Sequence, residues 1–156
     1  MIKLLMSCFL CCFSLFAESQ DRSAQKLASF NHADGLALQG YDPVAYLNQS
    51  KAVKGIKGFG TVVYEGLQYR FSTLENKEIF KKDPLKYLPQ YGGWCAFAMG
   101  SDGSKVTVDP QTFKILDGKL YLFYNKFFNN TLKSWNKNEQ ILKQQADVNW
   151  HKIYSY

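Results

Sequence analysis

Two stretches of the chain carry strand-forming apolar and aromatic residues on both sides of an acidic residue followed by glycine, and the first of them alternates apolar with polar positions. In the first, Val62 and Tyr64 lead to Glu65-Gly66, after which Leu67, Tyr69 and Phe71 alternate with Gln68 and Arg70. In the second, Phe113 and Ile115 lead to Asp117-Gly118, and Leu120, Tyr121, Leu122 and Phe123 follow. Glycine accepts the positive φ of a two-residue turn, so both stretches predict tight β-hairpins. Gly66, Tyr69 and Phe71 match Gly118, Tyr121 and Phe123 in a G-x-x-Y-x-F frame. This predicts two hairpin-plus-helix units in one antiparallel sheet, although three shared positions are also within reach of chance between aromatic hairpins.

The remaining pattern is mostly helical. Ser72 with Glu75 three residues on reads as a capping box, opening a helix that runs through Phe80 and ends near Lys82. Asp83-Pro84 starts a new short turn with Leu85, Tyr87 and Leu88, and Pro89 stops it. Asp42-Pro43 is a second start signal, with Asp as cap and Pro at the first helical position. Phe128, Leu132 and Trp135 fall at helical spacing. Leu142, Ala146, Trp150 and Ile153 line one face of a last helix that begins near Asn136 and Glu139. The apolar run Trp94-Cys95-Ala96-Phe97-Ala98-Met99 predicts a buried central strand. Residues 51–60 carry three glycines and read as a loop, while 18–35 form a linker or a short helix. The expected fold is a small single α+β domain.

Residues 1–17 stand apart. Lys3 precedes an apolar run from Leu4 to Phe16, and a polar stretch follows Ala17, the layout of a secretory signal peptide. Cleavage after Ala17 and lipidation at Cys8, Cys11 or Cys12 are the two ways of reading this leader. Export to the periplasm or cell envelope is expected either way, with membrane contact only through the leader or its lipid. Export also changes the cysteine arithmetic. Three of the four cysteines lie in the leader, so the mature chain keeps Cys95 alone and has no partner for an intramolecular disulfide. The net charge is +6 for 156 residues, with lysines spread along the chain and no arginine-rich block, which argues against nucleic-acid binding.

Several spaced strings carry a family resemblance. Tyr69-Arg70-Phe71-Ser72 through Phe80, Pro84 and Tyr87 resembles the YHS domain, in which an aromatic strand end precedes a helix with a fixed phenylalanine, then a proline and a tyrosine. Gly40-Tyr41-Asp42-Pro43-Val44-Ala45-Tyr46, Tyr91-Gly92-Gly93-Trp94-Cys95-Ala96 and Asp117-Gly118-Lys119-Leu120-Tyr121-Leu122 are similar to strings of its exported bacterial subgroup. The resemblance covers about residues 36–150, so that 36–156 reads as a YHS-type domain. It implies a binding module, and in many such domains a metal ion held by a cysteine after the aromatic strand and a second cysteine or histidine four residues later. Those positions are Ser72 and Asn76 here, and neither offers a thiolate or an imidazole. A metal ion is therefore implied by resemblance only, and no organic cofactor is implied.

Cys95 has the widest chemical reach in the mature chain. One reading makes it a redox-responsive thiol or a metal ligand beside a glycine-rich loop; the other makes it a buried small hydrophobe. His32 and His151 are the two imidazoles; with Cys95 they form a candidate metal set from three unrelated segments, without the paired spacing such sites show, and solvated histidines are the default reading. No Ser-His-Asp order, phosphate loop or dinucleotide-binding glycine pattern is present. The expected function is a binding module for a small molecule, metal ion or protein partner, using Tyr91, Gly92, Gly93, Trp94 and Cys95 together with Tyr41 and Asp42. A thiol-dependent redox protein using Cys95 is the alternative, and a scaffold without ligand is the third reading.

Overall fold

The computed structural model describes residues 26–154, so residues 1–17, read above as a leader, and their three cysteines lie outside the described residues. The described chain is an α+β domain. A helical turn at 26–28 leads into strands β1 (His32–Ala33) and β2 (Leu36–Ala37), followed by helix α1 (Pro43–Gln49). The first predicted hairpin is β3 (Thr61–Tyr64) and β4 (Leu67–Arg70), followed by α2 (Leu74–Lys82) and α3 (Pro84–Tyr87). Helix α4 (Ala96–Ser101) precedes the second hairpin, β5 (Asp109–Leu116) and β6 (Lys119–Phe123). A third hairpin, β7 (Asn125–Lys126) and β8 (Asn129–Asn130), leads to α5 (Thr131–Trp135) and the long α6 (Glu139–Ile153).

Both acidic-glycine turns form as expected. Glu65 and Gly66 have φ of 52° and 77°, and Asp117 and Gly118 have 51° and 70°, the left-handed pair a two-residue turn demands. The helix starts also follow the sequence: Asp42 accepts from the amides of Val44 and Ala45, and Asp83 accepts from that of Lys86, each just before a proline. The capping box does not form at Ser72. Thr73 is the cap of α2 and its Oγ1 accepts from the Asn76 amide, which leaves the Ser72 hydroxyl for another partner.

Three further expectations change. The two long hairpins do not share one sheet: β3 and β4 belong to a four-stranded sheet ordered β1-β2-β4-β3, with β2 parallel to β4, whereas β5 and β6 pair with each other. Trp94–Met99 is not a central strand. Cys95 caps α4, and the fully buried positions Cys95, Ala96 and Met99 fall at helical spacing. Apolar run length alone cannot separate a short buried helix from a buried strand. The central strand is β6 instead. Leu120 and Leu122 face one core with Phe71, Phe80, Tyr87 and Val44, while Tyr121 and Phe123 face a second core with Met99, Trp135 and Ala146. Finally, Phe128 is not helical. It occupies the β7–β8 turn with Phe127, at φ of 63° and 51°. Two bulky residues there cost roughly 1–2 kcal/mol each relative to glycine.

The last helix forms as read, with Leu142, Ala146, Trp150 and Ile153 on the second core. It approaches α4 closely at Gly100, where an added Cβ would meet the Leu142 carbonyl oxygen at 2.4 Å. Only glycine permits that contact.

Candidate functional site

Opposite ends of the described chain meet beside the Gln90–Gly93 turn. The Tyr91 and Gly92 backbone is left-handed, with φ of 54° and 59°, and Gly93 follows at 83°. Asn31 fixes this loop: its amide donates to the Gly92 carbonyl at 2.8 Å, and its Nδ2 donates to the Gly93 carbonyl at 2.9 Å. Gly92 has no room for a side chain, because a Cβ would sit 2.6 Å from the Trp150 ring and 3.1 Å from Phe30. That close packing seats Trp150, which stacks on Tyr154 at 5.4 Å, while Phe30 meets both rings edge-on.

The result is a cavity of about 540 Å³, within the size range of small-molecule sites. Its walls combine the aromatic cluster of Phe30, Tyr64, Trp150 and Tyr154 with Leu85 and Leu88. Polar groups are few and mostly engaged. Lys26 pairs with Glu65 and lies over the Tyr154 ring. The hydrogen bond to Glu65, then that to Tyr154, holds the Lys26 ammonium above its ordinary range. The Tyr91 hydroxyl donates to Asp147 Oδ1 at 2.9 Å, and Lys143 pairs with Oδ2 at 3.0 Å. Burial, then the bond to Asp147, pushes the Tyr91 phenol far up. Gln90 and His151 complete the polar rim.

The sequence-predicted site residues divide. Tyr91 and Gly92 line the cavity, and Gly93 packs behind it against Pro89 and Asn31. Trp94 is half-buried, and its Nε1 donates to the Ser29 carbonyl at 2.7 Å. Cys95 is fully buried and lines none of this space; its Sγ accepts from the Tyr124 amide at 3.3 Å and lies 3.4 Å from Thr131 Oγ1. Tyr41 sits elsewhere, under Lys54 and bonded to Gln111. His32 Nδ1 accepts from the Gly35 amide in the β1–β2 turn, while His151 is on the cavity rim. No group of three histidine, cysteine or acidic side chains among the described residues is placed to hold a metal, so the His32, Cys95 and His151 set does not assemble.

Asp42 defines a second polar centre. It is fully buried, and its carboxylate accepts five hydrogen bonds. Oδ1 takes the Val44 and Ala45 amides, at 2.9 and 3.3 Å. Oδ2 takes the Ser72 amide at 2.7 Å, the Ser72 hydroxyl at 2.6 Å and Asn76 Nδ2 at 2.7 Å. Ser72 and Asn76, the positions where the resemblance puts metal ligands, therefore act as donors to an anion. Cations and hydrogen-bond donors compete for the same lone pairs, and here the donors hold them.

Sequence reading missed Phe30, Tyr64, Glu65, Asp147 and Tyr154 as cavity residues, and placed Trp150 only on a core-facing helix face. The cavity is built from segments as far apart in the chain as Lys26 and Tyr154, and short-range spacing holds no signal for such a meeting. Comparison of the chain with family models, curated proteins and solved structures finds no match to any of them.

Proposed function

We propose that this chain is an exported binding module of the YHS type that takes a small, planar, largely apolar ligand in the cavity that the Tyr91–Gly92 turn and the Trp150–Tyr154 end of α6 line together with Tyr64, Leu85 and Leu88. The observation that carries the reading is the aromatic wall around a cavity of about 540 Å³, in which Lys26 is paired with Glu65 and Asp147 with Lys143 outside the lining. Stacking faces with few free polar groups favour an uncharged ring system over a phosphate or a polyol. The spaced YHS-like strings support the family assignment, and the apolar run before Ala17 supports export. Metal binding at Ser72 and Asn76 draws no support from their bonds to Asp42.

Indole, a neutral planar probe, is expected to shift the Gly92 amide and Trp150 indole signals in an NMR titration, and Gly92→Ala should abolish those shifts by pushing Trp150 and Phe30 out of the cavity wall. Saturable shifts confined to the Cys95 or Asp42 surroundings would refute the proposal.

The thiol-redox alternative requires Cys95 to be reached by a partner sulfur. Its full burial and its engagement by Tyr124 and Thr131 favour a packing role. Peptide mapping after treatment with a thiol reagent is expected to find Cys95 labelled only under unfolding conditions.

A further inference from the structure

The β7–β8 hairpin is built like the two longer ones but carries a different tip. Lys126 pairs with Asn129 across a two-residue turn, and the turn residues are Phe127 and Phe128, where the other hairpins use Glu65-Gly66 and Asp117-Gly118. Both phenylalanines adopt left-handed φ, and their exposures are 88% and 110%. They are the two most exposed large hydrophobics among the described residues. The tip thus bears backbone strain and presents two bare rings, although asparagine and glycine at those positions would relieve both.

Its base, by contrast, is held firmly. The Tyr124 carbonyl accepts from the Thr131 amide at 3.0 Å and from Thr131 Oγ1 at 2.9 Å, and the Tyr124 amide donates to Cys95 Sγ. Asn125 Nδ2 donates to Thr112 Oγ1 at 2.9 Å. The rings therefore sit on a preorganised prong. From Tyr124 to Asn138 the chain has three lysines, Lys126, Lys133 and Lys137, all exposed, and no acidic residue. Glu139, the next acid, is paired with Lys114.

We infer that the Phe127–Phe128 prong inserts into the interfacial region of an anionic lipid bilayer, with Lys126, Lys133 and Lys137 meeting the headgroups. A convex tip needs a yielding medium, which acyl chains supply without a shaped socket. Lys126 adjoins the rings in the hairpin, and the segment from Tyr124 to Asn138 adds Lys133 and Lys137 without an acid, a charge balance that complements acidic phospholipids. This contact is separate from any held by the leader and independent of the ligand cavity.

The test compares the full chain with its Phe127→Asn/Phe128→Gly variant on phosphatidylcholine vesicles with and without phosphatidylglycerol. The substitution installs a favourable turn, so the variant is expected to melt at or above the wild-type temperature. It should partition onto the anionic vesicles at least about tenfold more weakly. Both proteins carry the same leader, so the difference isolates the tip. Hydrogen exchange should show the amides of residues 125–130 protected by anionic vesicles in the wild type. Lys126→Gln/Lys133→Gln should reduce binding to anionic vesicles and leave binding to neutral ones unchanged. Equal partitioning of wild type and tip variant, unprotected tip amides, or lysine substitution without effect would each overturn the inference. So would lipid-free self-association abolished by the tip substitution, which would make the prong a protein-docking element.

Discussion

Two aspartates anchor two regions of this molecule, and they are used in opposite ways. Asp42 is sealed between α1 and α2 and accepts five hydrogen bonds, three of them from Ser72 and Asn76. Asp147 stands on the cavity rim with its side chain 50% exposed, and it meets one phenol and one ammonium. A carboxylate whose lone pairs are all taken up inside the protein has none left for a ligand and serves to brace the fold. One that keeps an open side can still answer to solvent or to a bound molecule. Hydrogen-bond saturation, more than burial, separates the structural centre from the candidate functional one.

The strongest way to break this contrast is to remove the sealed carboxylate. Asp42→Ala strands five donors, and the expected loss is about 3 kcal/mol in urea unfolding. A loss below about 1 kcal/mol would mean that the brace is redundant. Alkaline unfolding sharpens the contrast at the rim. The folded Tyr91 phenol is raised above its unfolded value of 10.0, by burial first and then by its bond to Asp147. Its contribution to stability is therefore fully present below pH 10 and is lost as the pH climbs from there toward the raised folded value. Tyr91→Phe is expected to remove up to about 1.4 kcal/mol per pH unit from the decline above pH 10. Tyr46, Tyr69 and Tyr121, also raised chiefly by burial, keep the remainder. The smallest effect belongs to Asp147→Asn. It retains an acceptor for Tyr91 and loses only a half-exposed pair with Lys143, so thermal unfolding should register a change of no more than about 0.5 kcal/mol. A cost near that of Asp42→Ala would erase the distinction.

Local chemistry was legible in the sequence wherever adjacent residues decide the outcome. The Glu65-Gly66 and Asp117-Gly118 turns, the Asp42-Pro43 and Asp83-Pro84 starts and the apolar face of α6 all depend on spacings of a few residues. The cap of α2 moved by one residue because Thr73 competes with Ser72 for the same role, and Asp42, thirty residues away, claims the serine. Trp94–Met99 misled because a short helix wedged between β6 and α6 is as apolar as a strand. At the site, Tyr91 and Gly92 were found through their glycine-rich string, whereas Phe30 and Tyr154 were not. Their proximity is a product of tertiary folding, and no motif records it.

The position of β6 has a thermodynamic consequence. Successive side chains of this one strand fill the two cores in turn, Leu120 and Leu122 on one side, Tyr121 and Phe123 on the other. Neither half can melt without stripping a face of the ladder that supports its neighbour. The shared strand couples the two cores, so a perturbation felt by the aromatic half is expected to carry an energetic cost in the half braced by Asp42.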